Sequence, residues 1–278
     1  MIRPNLSFPE YLDHPSYGSS SLKDFKIGPP AMVEWRRHNR HDGTKATKLG
    51  TAAHCLLLTP TLFGSSYAVR PDDERGDFRT KAGKAWRDNN LANGIESLSS
   101  EEWVQLQGIA DAFTKKVAGC RGDASMVEAS IFWNCARSGL PCKGRPDWWD
   151  GVAVYDLKVS IIADRPFDSM VWALHSNGWL NQLAHNRAGL AANGVNVKVG
   201  RNVIVSPNAP HNIHLIEVRE SDLDFLELDN ENTRRGMMEC HRSGYWPGTP
   251  DKWQTIELPA SAAFTEADIE GADEESPV

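Results

Sequence analysis

The chain has 278 residues, of which 40% are hydrophobic and 24% charged, an ordinary composition for a globular protein and one suited to one large or two small domains. It has no apolar run near the roughly 18 residues of a membrane helix, and its five cysteines are too sparse for a disulfide framework, so membrane, secreted-scaffold and disordered classes are excluded. The net charge of -7 is concentrated in the C-terminal run Glu266, Asp268, Glu270, Asp273, Glu274 and Glu275, without which 31 acidic residues face 30 basic ones. The opening MIRPNLSFPEYLDHP has no apolar h-region, and a reducing cytoplasmic compartment is the expectation.

Ser19-Ser20-Ser21 precedes LKDFKIGPPAMVEWRRHNR, which reads as two helices broken at Gly28-Pro29-Pro30. This stretch is basic: Lys23, Lys26, Arg36, Arg37, Arg40, Lys45 and Lys48 stand against Asp24, Glu34 and Asp42. Leu49 to Leu58 is apolar, closes at Thr59-Pro60 and reads as a buried helix. Pro71 to Arg79 is polar and reads as a loop. Ser99 and Ser100 are N-cap candidates for a helix to Val117, whose Trp103, Leu106, Ile109, Ala110 and Phe113 keep helical spacing.

The period then changes. MVEASIFWNC, GLPCKGRPDWW and GVAVYDLKVS read as three antiparallel strands joined at Ser138-Gly139 and Asp150-Gly151. Pro166 to Asn193 reads as a helical segment broken near Gly178. VGRNVIVSP and HNIHLIEV read as two more strands, and Ser221 to Arg242 as a helix. This order predicts one α/β domain around a mixed sheet, with N-terminal helical additions. From about Ala260 the composition predicts disorder.

The densest chemical candidate is Asp147 with Asp156-Leu157-Lys158. Adjacent strands turning at Asp150-Gly151 can bring the two carboxylates together, and Asp156 and Lys158 leave the same strand face. Clustered carboxylates call for a cation, and hard oxygen ligands suit Mg²⁺ bridging to a phosphate. An ammonium beside that metal can orient or deprotonate a water. Glu128, on the preceding strand, can complete the acidic set. Taken alone, an Asp-x-Lys pair is more often a surface ion pair. Its setting among Tyr155, Leu157 and Val159 makes it interior, where charge needs a partner or a metal. The cysteines are too dispersed for an iron–sulfur cluster, and His211, His214, Cys240 and His241 lack finger spacing.

GRPDWWDGVAVYDLKVS, together with Glu128, GTAAHCLLLTP and GWLNQLAHNR, resembles the RecE-type (exonuclease VIII) branch of the PD-(D/E)XK nuclease superfamily. Gly50, His54, Leu56, Leu57, Leu58 and Pro60 match its helical element, and Gln182 its later helix motif. YLDHPSYGSSSLKDF and GYWPGTPDKWQTIELP resemble the start and finish, so the likeness runs over residues 11–259. One departure is that the motif usually flanks its glutamine with tyrosines, where this chain has Trp179 and Asn186.

The resemblance implies an α/β fold, a PD-(D/E)XK nuclease core with a central mixed sheet flanked by helices and N-terminal helical additions. It would form a single domain over residues 1–259, with a basic helical segment at 19–60, a catalytic core at 120–245 and an acidic tail at 260–278. It implies that Asp147, Asp156 and the Leu157 carbonyl ligate Mg²⁺, for which Mn²⁺ can substitute. Glu128 would hold or orient a metal water, His54 would face the metal, and Lys158 would activate the attacking water. A lone histidine on an apolar helix is otherwise a core residue. Gln182 and Trp179 would contact DNA, and Arg36 and Arg37 a 5′-terminal phosphate, against the alternative of a solvated helix face.

The activity implied is a Mg²⁺-dependent 5′→3′ exonuclease on linear double-stranded DNA, phage or prophage encoded and acting in the cytoplasm of a bacterial host. It would form a homo-oligomeric ring and feed a single-strand-annealing recombinase. The alternatives are a structure-specific or single-strand nuclease on the same site, and a non-catalytic DNA-binding phage protein.

Overall fold

In chain order, the computed structural model of the protein begins with β1 (Ile2–Arg3), α1 (Phe8–Asp13), α2 (Ser19–Ile27), α3 (Ala31–His38), α4 (Lys45–Leu58) and α5 (Pro60–Ser66). There follow β2 (Tyr67–Val69), α6 (Lys81–Ala92), β3 (Glu96–Leu98), α7 (Ser100–Val117), β4 (Met126–Val127) and β5 (Ser130–Asn134). The remainder is β6 (Pro141–Gly144), β7 (Trp148–Trp149), β8 (Ala153–Val159), α8 (Phe167–Ser176), α9 (Trp179–Ala191), β9 (Val199–Val205), β10 (Ile213–Val218) and α10 (Glu220–Ser243). The structure describes residues 1–39, 44–70, 78–117, 126–253 and 255. Residues 71–77 of the stretch expected to be a loop (Pro71 to Arg79) lie outside them, as do Arg40, Cys120 and the acidic tail.

Local chemistry sets several boundaries. Ser7 and Glu10 form a reciprocal capping box at the start of α1. Ser99 and Glu102 do the same for α7. Thr44 caps α4, which therefore begins four residues before the apolar run. Gly178, at φ +73°, provides the left-handed turn that separates α8 from α9.

The central sheet has the order β10-β9-β8-β7-β4 and is mixed: β8 and β9 run parallel, while the other pairings are antiparallel. A second sheet has the order β1-β5-β6. The three-strand meander expected from the sequence is thus divided between two sheets. The first run bends at Glu128, which has φ +51°, and the second bends between β6 and β7. Each of these two runs therefore contributes one piece to the central sheet and one to the second sheet, while the third, β8, lies wholly in the central sheet.

β8 lies at the centre. Tyr155 and Leu157 face the helices α4 and α7, packing with Ala52, Ala53, Leu106 and Ile109. Val154 faces the other way, against Leu183 and Leu190 of α9 and Leu223 of α10. Burying each large side chain of this kind stabilises the fold by about 1.5–3 kcal/mol. The alternation puts Asp156 and Lys158 on the α9 side of the sheet. The mixed sheet flanked by helices is the fold class expected. Met1–Pro247 form one compact unit, and a second begins at Gly248. Among the described residues no helix is long and apolar enough to cross a membrane.

Candidate active site

Two polar groups meet where β7, β8, α4 and α9 converge. The first gathers His54, Glu128 and Asp147, whose ligand atoms lie within 4.8 Å of one another. His54 Nε2 donates to the Leu157 carbonyl at 2.9 Å, while Nδ1 lies 3.3 Å from Asp147 Oδ1 and 3.9 Å from Glu128 Oε1. The left-handed backbone at Glu128 is uncommon outside glycine and ends β4 at this residue. Arg145 holds the other Glu128 oxygen, Nε donating to Oε2 at 2.8 Å, and anchors itself on the Leu6 carbonyl and Ser130 Oγ. Asp147 accepts from the Leu157 backbone N–H.

The second group is built on Asp156, which is 1% exposed. Lys158 Nζ donates to its Oδ1 at 2.9 Å, and Gln182 Nε2 donates to the same oxygen at 2.8 Å. Lys158 Nζ also donates to Gln182 Oε1 at 3.2 Å and lies 5.5 Å from the Trp179 ring centre. Asp156 Oδ2 is 2.8 Å from the ammonium but receives no aligned hydrogen bond.

Electrostatics separates the two aspartates. Burial works against ionised Asp147, but the His54 imidazole and Lys158 outweigh it and hold its carboxyl below the usual range. Burial dominates at Asp156, and the Asp147 charge adds to it, so its carboxyl is raised to about 6 despite Lys158. Burial also opposes a charged His54, yet Asp147 and Glu128 prevail and raise it to about 10. The imidazolium thus supplies positive charge among the carboxylates. The donors are carboxylate and carbonyl oxygens, a set that fits a hard divalent cation, and a bound cation would take over the charge that the His54 imidazolium supplies without it. Glu128, Asp147 and the Leu157 carbonyl would hold such an ion, with His54 beside it and Asp156 across β8.

Both groups border a cavity of about 720 Å³. Gly50 and His54 contribute one face of α4, and no atom lies within 4 Å of where a Gly50 side chain would begin. A neighbouring cavity of about 740 Å³ is lined by Arg36 and Arg37 and shares Tyr11, Leu12, Ser19 and Ser20 with the first. Arg36 pairs with Asp24. Arg37 donates to Tyr17 Oη at 2.6 Å and to the Pro15 carbonyl at 2.7 Å.

The structure therefore brings Glu128, Asp147, Leu157, Lys158, His54 and Gln182 to one cavity, with Asp156 buried against Lys158 and Gln182, Trp179 at Lys158 and the two arginines in the adjoining cavity. Gln182, expected at DNA, has both polar atoms engaged by Asp156 and Lys158. Arg145, which precedes Pro146-Asp147 in the sequence, also belongs to the site through its ion pair with Glu128, a contact across 17 residues that no local pattern signals.

No family model matches the chain, and no curated protein matches it. Among solved structures, a candidate exonuclease from Eubacterium rectale aligns with a TM-score of 0.62 at 14% identity, covering 92% of this chain and 96% of its own. That likeness establishes the fold. An alkaline exonuclease from Laribacter hongkongensis aligns with a TM-score of only 0.29 at 11% identity, over 60% of this chain and 86% of its own, and adds no argument.

Proposed function

We propose that the chain is a divalent-metal-dependent exodeoxyribonuclease that degrades linear duplex DNA in the 5′→3′ direction, with Mg²⁺ as its cofactor and Mn²⁺ able to replace it. The observation that carries this reading is the meeting, at one open cavity, of the His54, Glu128 and Asp147 cluster with Lys158 and Gln182, which the buried Asp156 holds in place. The fold shared with a candidate exonuclease supports it.

The metal would neutralise charge gathering on the phosphate under attack. Lys158 has its ammonium fixed by Asp156 and Gln182, in place to orient a water and to move its proton. Asp147 and Glu128 would hold the ion, with Arg145 steering Glu128. Arg36 and Arg37, in the adjoining cavity, would receive a 5′-terminal phosphate and so impose direction. The product would be a 3′ single-stranded tail, substrate for a strand-annealing recombinase, and the working form a ring of identical subunits around duplex DNA.

The test compares end-labelled linear duplex with closed circular duplex, in Mg²⁺ and in EDTA. Label released from the linear DNA in Mg²⁺ alone, with circles intact, is the expected result. Cleavage of circles would point to a structure-specific or single-strand nuclease, and no cleavage in any arm would overturn the nuclease reading.

A further inference from the structure

Tyr11 of α1 stands between the cavity of the acidic site and the cavity of Arg36 and Arg37, and it lines both. Its ring is clamped. Lys143 Nζ lies 4.9 Å and Arg145 Cζ 5.9 Å from the ring centre, while Phe8 stacks at 6.2 Å and Phe132 lies tilted at 6.3 Å. Its backbone is held as well, since Lys143 Nζ donates to the Tyr11 and Leu12 carbonyls at 2.8 Å. A ring fixed in this way also fixes where its hydroxyl lies.

That hydroxyl is unengaged yet reachable. Tyr11 Oη has no hydrogen-bond partner among the described residues, and it is not sealed from solvent as Asp156 Oδ2 and Asn186 Nδ2 are. A Cβ on Gly18 would lie 3.7 Å from Tyr11 Oη and 3.9 Å from Ser20 Oγ, so both hydroxyls border the space that this glycine leaves in the wall of the arginine cavity. Burial raises the phenol's pKa against the pull of Arg145, and the Glu128 charge adds to the rise. The hydroxyl therefore keeps its proton and serves as a donor rather than a base. A strand whose end lies by the arginines and whose next phosphate lies at the ion has to cross the wall where this donor stands.

We propose that Tyr11 Oη donates a hydrogen bond to a non-bridging oxygen of the 5′-terminal phosphate and so helps set a preference for phosphorylated ends. This rests on the nuclease reading and deepens it. Arg36 and Arg37 supply charge that any nearby phosphate feels, whereas the hydroxyl on its clamped ring supplies one directed bond at one position.

The test uses the full chain with Tyr11→Phe, which keeps the ring and its contacts and removes the hydroxyl. Affinity for 3′-labelled linear duplex, with 5′-phosphate or 5′-hydroxyl ends, is read by fluorescence anisotropy in Ca²⁺. KM and kcat for both are read in Mg²⁺, and the fold by thermal melting. The expected result is binding of the 5′-phosphate duplex weakened about threefold or more, visible in KM more than in kcat, with a smaller change for the 5′-hydroxyl duplex. The melting temperature should match that of wild type, because no hydrogen bond within the chain is lost. Wild-type affinity and KM on the phosphorylated duplex, or an equal loss on both duplexes, would overturn the assignment while the nuclease reading stands. A lower melting temperature with an unchanged ratio of KM between the two duplexes would mark a structural hydroxyl and overturn it too. A wild-type chain that neither binds nor cuts duplex would overturn both readings.

Discussion

α9 separates two buried polar clusters, and they handle charge differently. On one side, Arg234 is 1% exposed and donates to Glu227 Oε1 at 2.5 Å and to His185 Nδ1 at 2.9 Å, while His185 Nε2 donates to the Lys143 carbonyl at 2.9 Å. Only Arg234 Nε is without a partner there. On the other side stand Asp156, Asn186 and Asn202, the last a register partner of Asp156 on the parallel strand β9. Among the described residues, Asp156 Oδ2, Asn186 Nδ2 and both amide atoms of Asn202 have no hydrogen-bond partner. The first cluster completes itself within the chain. The second leaves buried polar atoms unmatched behind Lys158 and Gln182, which line the cavity, so that charge is held there less completely than in the first.

The comparison breaks most sharply under mutation. Asp147→Ala should lower cleavage about 10³-fold or more and abolish the Mg²⁺-induced rise in melting temperature, while Asp156→Ala should lower cleavage to a similar degree by releasing Lys158, with the fold retained in both. Lys158→Ala should lose cleavage to a similar degree yet keep that rise, because it removes a cation rather than a ligand. Metal binding is checked by calorimetry and cleavage by label release. Near-normal cleavage by Asp156→Ala would remove it from the site.

Arg234→Ala should do the opposite. It leaves Glu227 buried without its partner, a change that costs about 3–5 kcal/mol of stability. The expected result is a large fall in the chemical-denaturation midpoint, with cleavage per folded molecule nearly unchanged. Asp156→Asn, by contrast, removes a carboxylate held near Asp147 and should leave the apoprotein at least as stable as wild type. If Arg234→Ala proved stable but inactive, the division of labour across α9 would be wrong.

These differences also mark what the sequence could disclose. Asp156-Leu157-Lys158 was legible because charges alternate with Tyr155, Leu157 and Val159 on a strand too apolar to be a surface strand. The helix around His54 was legible from its apolar run, and the broken helix at Gly178 from its glycine. The partition into two sheets was not, because it depends on the backbone turning at Glu128 and between β6 and β7, which leaves no periodic trace. β1 and α1 are two and six residues long, too short to carry a pattern. Arg145 acquires its meaning only through its contact with Glu128, and Asn202 only through strand register, neither of which a single sequence prints. Asn186 was visible as a departure from the tyrosine expected there, but its orphan donor is a fact of packing.

pH sharpens the contrast. Burial, reinforced by Arg234, lowers the His185 pKa to about 3, so the folded chain keeps it neutral while the unfolded chain protonates it near 6.5. Below pH 6.5 the unfolded state therefore binds the extra proton, and stability falls by up to about 1.4 kcal/mol per pH unit until about pH 3. Asp156 has the opposite sign. Its folded pKa, about 6, exceeds the unfolded value, so its contribution is present at acid pH and is lost as pH rises through 6. Denaturation of His185→Gln between pH 4 and 7 should show a flatter acid limb than wild type, and that of Asp156→Asn a steeper rise toward neutrality. Identical slopes in all three would deny these residues the roles assigned here.

The smallest effect concerns the adjoining cavity, where charge is neither self-completed nor fully orphaned. Arg36 pairs with Asp24 yet keeps 42% of its side chain exposed, so its guanidinium can reach a ligand without leaving the protein surface. Arg37 is more firmly held, stacked 4.3 Å from the Tyr17 ring centre with its donors on Tyr17 and Pro15. A terminal phosphate carries more charge than an internal one, and planar guanidinium groups bind it well. Linear duplex with 5′-phosphate should therefore be degraded faster than duplex with 5′-hydroxyl, by about two- to fivefold, because exposed ion pairs contribute up to about 1 kcal/mol. Arg36→Ala should narrow that ratio at unchanged melting temperature, whereas Arg37→Ala should narrow it and also loosen the contact between α3 and Tyr17. Label released from each end, with both 5′ chemistries, decides the matter. Equal rates for the two chemistries would return Arg36 to its pairing with Asp24 and leave strand direction to another part of the cavity.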